Sequence, residues 1–128
     1  MNVKVATVIN CIDGRVQEPV NNWMKAYTGA NQVDVITEAG PDRIMASTAT
    51  ASRLILQRIL MSRDRNHSEH LALVAHFDCR GNPVSKETHM KQLHQAVKII
   101  ETWDLGMNIM LLWVNDKWEI ELVKQIKP

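Results

Sequence analysis

A chain of 128 residues, 45% apolar and 23% charged, can bury roughly two-thirds of its unfolded surface as one domain, with no need of disulfides or metal to fold. Its net charge of +1, with no stripe of Lys or Arg, argues against nucleic acid or an anionic membrane as partner. No apolar run approaches a membrane span and the first one lacks a small-residue cleavage site, so a cytoplasmic protein is expected, in which two cysteines read as metal ligands or reactive thiols before a structural disulfide.

Val3, Val5, Ala6, Val8 and Ile9 form a short β-branched run, the pattern of a strand buried on both faces. It ends in Cys11-Ile12-Asp13-Gly14-Arg15. Alternate residues of a strand share a face, so Cys11, Asp13 and Arg15 are expected to point into one space if extended geometry persists. Gln17-Glu18-Pro19 opens a helix, with Pro19 tolerated in the first turn. Val20, Trp23, Met24 and Tyr27 continue it to a stop at Gly29. A second strand over Gln32 to Thr37 ends at Glu38-Ala39-Gly40-Pro41, where Gly40 and Pro41 turn the chain into a helix from about Asp42 to Met61. Ile44, Ala51, Leu54, Ile55, Ile59 and Leu60 give that helix an apolar face. Its small residues, Ala46 to Ser52, suit close packing on the chain's own sheet, with a subunit contact as the alternative.

A third strand, Leu71 to Ala75, runs into His76-Phe77-Asp78-Cys79 and then Arg80-Gly81-Asn82-Pro83. Ser85 with Thr88 is an imperfect cap, but Met90, Leu93, Val97, Ile100 and Trp103 mark an amphipathic helix ending near Leu105-Gly106. Met107 to Val114 reads as a fourth buried strand. After the turn Asn115-Asp116-Lys117, Trp118 to Val123 alternates Trp118, Ile120 and Leu122 against charged residues, which predicts an antiparallel edge strand. The order β-α-β-α-β-α-β-β, in one domain over residues 1–128, implies an α/β fold with a mostly parallel sheet and helices on both faces. If the sheet order is 2-1-3-4, with strand 5 at the edge, an order the chemistry below gives reason to prefer, strands 1 and 3 are neighbours whose connections diverge. Such a switch point would bring Cys11 and Cys79 to one crevice.

Cys11, His76 and Cys79 offer two thiolates and an imidazole, donors that zinc prefers, and three protein ligands with an open fourth position is the pattern of a catalytic site. The plain alternative is an inert buried cysteine followed by a polar loop with an exposed ion pair. His67 and His70 read as surface residues, and His89 and His94 lack the i,i+4 spacing of a helical metal pair. His94 would shuttle protons only if it faced the crevice. Trp103, Trp113 and Trp118 read as packing, and Asp78 as a turn aspartate or a partner of a ligand.

Cys-x-Asp-x-Arg followed by His-x-x-Cys resembles the paired signature of the β-class carbonic anhydrases, which Cys11, Asp13 and Arg15 and then His76 and Cys79 match position by position. Ala39-Gly40 falls where that family has an Asn-Ala-Gly turn. The likeness is close over roughly the first two-thirds of the chain and topological beyond. It implies zinc held by Cys11, His76 and Cys79, with Asp13 and Arg15 as a dyad beside it. It also implies a water or hydroxide in the fourth position that attacks carbon dioxide, reversibly, to give bicarbonate. Asp13 would accept that water's hydrogen while Arg15 kept Asp13 ionised. In the family's closed form the aspartate itself ligates zinc, a role open to Asp13 as a fourth ligand. Family sites are built at dimer interfaces, so a homodimer or higher homo-oligomer is expected. Two thiolates cancel the ion's charge, so hydration is expected to rise toward alkaline pH.

Three features depart from the family pattern. Arg80 stands where it usually has glycine, Thr37-Glu38 replaces the usual Arg-Asn, and the first strand begins almost at residue 1 where the family has a helical arm. Carbon disulfide and carbonyl sulfide, which use the same zinc scaffold, stay open as substrates. Two other classes stand beside the lyase: a non-catalytic zinc protein with Asp13 as permanent fourth ligand, and a metal-free redox protein with a Cys11–Cys79 disulfide. Zinc content separates the last from the others, and an exchangeable water on the metal separates the first two.

Overall fold

The computed structural model describes residues 3–47 and 49–128. The strands are β1 (Val5–Cys11), β2 (Gln32–Glu38), β3 (His70–His76), β4 (Asn108–Val114) and β5 (Ile120–Ile126), and the helices are α1 (Gln17–Thr28), α2 (Pro41–Ser47), α3 (Ala49–Arg65) and α4 (Lys86–Thr102). They form one sheet in the order β2-β1-β3-β4-β5, parallel except for the antiparallel β4–β5 pair. This is the architecture that the alternation of elements predicts.

The central strands are mainly apolar because both of their faces are covered, with Thr7, Asn10 and His76 as buried polar exceptions. On one face Ile9, Leu71, Leu73 and Leu111 pack with Met45 of α2, Ile55 and Ile59 of α3, and Leu93 and Ile100 of α4. On the other, Ala6, Val8, Ala72, Val74 and Leu112 pack with Val20 and Met24 of α1. The chain therefore leaves β1 toward α1 on one face and reaches β3 from α3 on the other. β1 and β3 stand side by side where the connections diverge, and their carboxyl ends open into the crevice where ligands bind in such sheets.

Local signals explain the ends of the elements. Gly29 caps α1 with φ 77°, its N–H bonded to the Lys25 carbonyl, a conformation that costs glycine little. The Ser85 hydroxyl accepts from the Thr88 N–H and starts α4, so the imperfect cap serves. Two expectations change. The helix expected from Asp42 to Met61 runs on to Arg65, given as α2 and α3 on either side of Thr48, which lies outside the described residues; Ala46 packs against the core and Ser52 is buried. β5 begins at Ile120 rather than Trp118, because the Asn115 side chain accepts from the Lys117 and Glu119 N–H groups and Trp118 turns left-handed at φ 59°. A bulge against Leu111 and Leu112 then interrupts the predicted alternation, since an extra residue flips which side chains face the core. Ile120 accordingly packs on the α1 side of the sheet, and Val123 and Ile126 on the other.

Candidate metal centre

β1 delivers Cys11 and β3 delivers His76 to neighbouring strand ends, while Asp78, left-handed at φ 55°, turns the chain so that Cys79 comes back toward them. The ligand-type atoms of Cys11, His76 and Cys79 lie within 4.8 Å of one another, and all three residues are buried. The two sulfurs are 3.9 Å apart, close to the ~3.8 Å separation of two thiolates on one tetrahedral zinc.

The tautomer of His76 follows from its surroundings. Its Nδ1–H donates to the Phe77 carbonyl at 2.7 Å, which leaves the Nε2 lone pair free. That Nε2 is buried and has no hydrogen-bond partner. A buried nitrogen aimed at two sulfurs, with its ring held from behind by a carbonyl, is how a metal-ligating histidine is oriented. The donor set therefore fits a zinc-type ion.

Without a metal the two thiols titrate as a pair. The Cys79 thiol donates to Cys11 and lowers the Cys11 pKa to about 4, against burial and with help from His76 and from the Asp13 and Gly40 N–H groups. Cys79 is pushed far up because it supplies that proton, is buried, and faces the Cys11 thiolate. Burial opposes a charged His76, yet the Cys11 thiolate, the Phe77 carbonyl and Asp13 outweigh it and hold its pKa above the ordinary value.

Asp13 and Arg15 reach the site by a different route from the expected one. The extended geometry stops at Cys11, and Asp13 caps a single 3-10 turn, Gly14–Val16, by accepting from the Arg15 N–H at 2.9 Å. Gln17 braces this turn by donating from Nε2 to the carbonyls of Cys11 and Asp13. The Arg15 guanidinium then grips the Asp13 carboxylate through Nε and Nη2, the shortest contact being 2.7 Å. This pairing holds the Asp13 carboxyl down to about 2. Asp13 Oδ2 lies 4.0 Å from His76 Nε2, at the edge of the candidate metal position.

Arg15 is itself held from two further sides. It pairs with the Asp78 carboxylate at 3.1 Å and the Asp78 carbonyl at 3.0 Å, and it lies 4.6 Å over the Trp118 ring. Trp118 is thus part of the site's surroundings rather than packing alone, and nothing in its sequence context signals this. A cavity of about 440 Å³ opens here, lined by Cys11, Ile12, Asp13, Arg15, Arg80 and Gly81. Of the other histidines, His67 and His94 are exposed, and His94 Nδ1 bonds the Met90 carbonyl of its own helix. His70 is half-buried against Asn108 at the opposite end of β3, rather than a plain surface residue, and burial lowers its pKa.

The centre brings three buried donors together beside a crevice at the switch point of a mostly parallel α/β sheet, a cluster that could hold a metal ion. The chain belongs to a known family: a family described as "Putative carbonic anhydrase" matches residues 1–124. Among solved structures, one of two tetrameric β-carbonic anhydrases from the filamentous ascomycete Sordaria macrospora is similar over 98% of this chain and 84% of its own, at 11% identity and a TM-score of 0.54. At that identity the likeness shows the fold. The β-carbonic anhydrase CafA of the fungal pathogen Aspergillus fumigatus matches over 98% of this chain and 77% of its own, at 13% identity and a TM-score of 0.48. No curated protein matches the chain. Among the described residues no helix is long and apolar enough to cross a membrane.

Proposed function

We propose that this protein is a zinc-dependent carbonic anhydrase-like lyase that interconverts carbon dioxide and bicarbonate. The observation that carries the reading is the buried Cys11–His76–Cys79 cluster with its unpartnered His76 Nε2, beside the Asp13–Arg15 pair. Cys11, His76 and Cys79 would hold the ion, and the whole of residues 1–128 would form one zinc domain. Bound zinc supplies a nucleophile by lowering the pKa of water.

The chain's own residues do the rest. His76 keeps its lone pair inward because Phe77 holds the opposite nitrogen. Asp13, ionised through Arg15, accepts a hydrogen from the attacking water and aims a lone pair at the substrate. Arg15 restrains Asp13 from turning onto the metal, and Asp78 and Trp118 restrain Arg15 in turn. A closed form, with Asp13 as a fourth ligand, requires that pairing to break. Arg80 lines the cavity at the position where the resembled family usually has glycine. The protein acts as a homodimer or higher oligomer in the cytoplasm; the solved relative from Sordaria macrospora is tetrameric.

Stopped-flow carbon dioxide hydration on protein of measured zinc content tests the proposal. Near one zinc per chain, with a rate that rises from neutral to alkaline pH, is the expected outcome. Full zinc without hydration at any pH overturns the substrate and leaves the sulfur analogues of carbon dioxide to be tried.

A further inference from the structure

Behind the two cysteine-bearing turns lies a polar cluster that the proposed reaction does not use. Asp42 of α2, His89 of α4 and Asn82 of the turn after Cys79 are all buried. His89 Nδ1–H donates to Asp42 Oδ2 at 2.5 Å. The Asn82 side-chain amide donates to Asp42 Oδ1 at 3.1 Å and to Gln92 Oε1 at 2.6 Å. A carboxylate with no exposure is costly unless its acceptors are filled, and both oxygens of Asp42 are filled. The cluster thus spans three segments: the start of α2, the turn after Cys79 and the first half of α4.

Its placement connects it to both sulfurs. Asp42 lies four residues after Glu38, which pairs with Cys11 across β1 and β2 and accepts from the Ile12 N–H at 2.9 Å. Asn82 donates its backbone N–H to the Cys79 carbonyl at 3.3 Å, closing the turn that carries the Cys79 sulfur. The two turns interlock closely. A Cβ on Gly40 would stand 2.6 Å from Asn82 Cβ, and a Cβ on Gly81 would stand 2.8 Å from the Ala39 carbonyl carbon. Two backbones can pass this near only as glycines, and the Asn82–Asp42 bond is the side-chain tie between them.

We propose that Asp42, oriented by His89, is a positioning residue that locks the Gly40 turn to the Gly81–Asn82 turn and thereby sets the placement of both cysteine sulfurs. The inference rests on the reading of Cys11 and Cys79 as metal ligands. With the tie cut, each turn relaxes independently and the spacing of the two sulfur donors widens. Asp42 and His89 touch neither the metal position nor the cavity, so their effect runs through the sulfurs.

Cobalt(II) reports on this directly, because its sulfur-to-metal charge-transfer absorption follows the thiolate geometry. Asp42→Asn and His89→Leu are expected to shift that absorption and to hasten cobalt loss to a competing chelator by about 10- to 100-fold, the usual effect of losing a residue that orients metal ligands. His89→Asn keeps a donor where Nδ1 stood and is expected to behave like the unaltered protein. Ile59→Ala, in the core under α3, serves as a control that lowers stability without touching either turn. An unshifted absorption with unchanged cobalt release in Asp42→Asn and His89→Leu overturns the proposal, and so does an equal change in Ile59→Ala. If Asp42→Asn fails to fold, the contrast of His89→Leu with His89→Asn decides in its place. Absence of the absorption from the unaltered protein overturns the metal reading itself, which separates the two failures.

Discussion

Two buried imidazoles, one on each side of the sheet's carboxyl end, are built alike and meet different surroundings. His76 and His89 both anchor Nδ1 on an oxygen, the Phe77 carbonyl in one case and the Asp42 carboxylate in the other. Both leave Nε2 buried without a hydrogen-bond partner. Around His76 Nε2 stand two sulfurs and the edge of a cavity. The His89 ring faces Trp113, its centroid 5.4 Å away, and no second ligand-type cluster exists among the described residues. An anchored imidazole is therefore only half of a metal site. The donors that converge on its free nitrogen decide whether it holds an ion or braces a turn.

That contrast can be broken first at the sulfurs. Cys79→Ser removes one of the three donors and should lose most of the zinc by elemental analysis; full retention would contradict the assignment. Next in size, Asp13→Asn should keep its zinc while hydration falls about 100-fold or more, since the carboxylate no longer accepts the hydrogen. Unchanged hydration would remove Asp13 from the reaction. The pH dependence of metal uptake sharpens the comparison further. In the metal-free protein Cys79 and His76 both hold protons more tightly than usual, and an ion must displace them. Zinc affinity should therefore rise with pH through neutrality, about tenfold per pH unit for each proton displaced, and fall in acid. An affinity measured by competition that is flat over this range would show that the titrating groups do not hold the metal. The smallest effect is structural. Gly81→Ala forces a Cβ to within 2.9 Å of the Ala39 side chain and should cost about 1–3 kcal/mol in chemical denaturation.

What the sequence made legible follows the range of the signal. The elements could be read because β1, β3 and β4 are mainly apolar runs and the helices between them carry their own apolar stripes, whereas the sheet order was preferred because it brings Cys11 and Cys79 to one crevice. Cys11, His76 and Cys79 were visible as candidates because each stands at or just past the end of such a run. The geometry of Asp13 and Arg15 was not legible, since a 3-10 turn replaces the extended pentapeptide while still pairing the two side chains. The other interactions across the fold left no trace in the sequence. Asp42 meets His89 across 47 residues and Asn82 across 40, and Arg15 meets Asp78 across 63, none at a periodic spacing. The bulge in β5 escaped for a related reason: it is a property of the β4–β5 pairing, not of the β5 sequence. Residues that build a strand announce themselves locally, whereas those that orient a ligand are defined only once distant segments meet.

Zinc-edge X-ray absorption on the purified protein tests the difference between the two imidazoles most directly. The account predicts two sulfurs at about 2.3 Å and one imidazole nitrogen at about 2.0–2.1 Å, with a single oxygen completing four-coordination. A shell with two imidazoles, or one without sulfur, would contradict it.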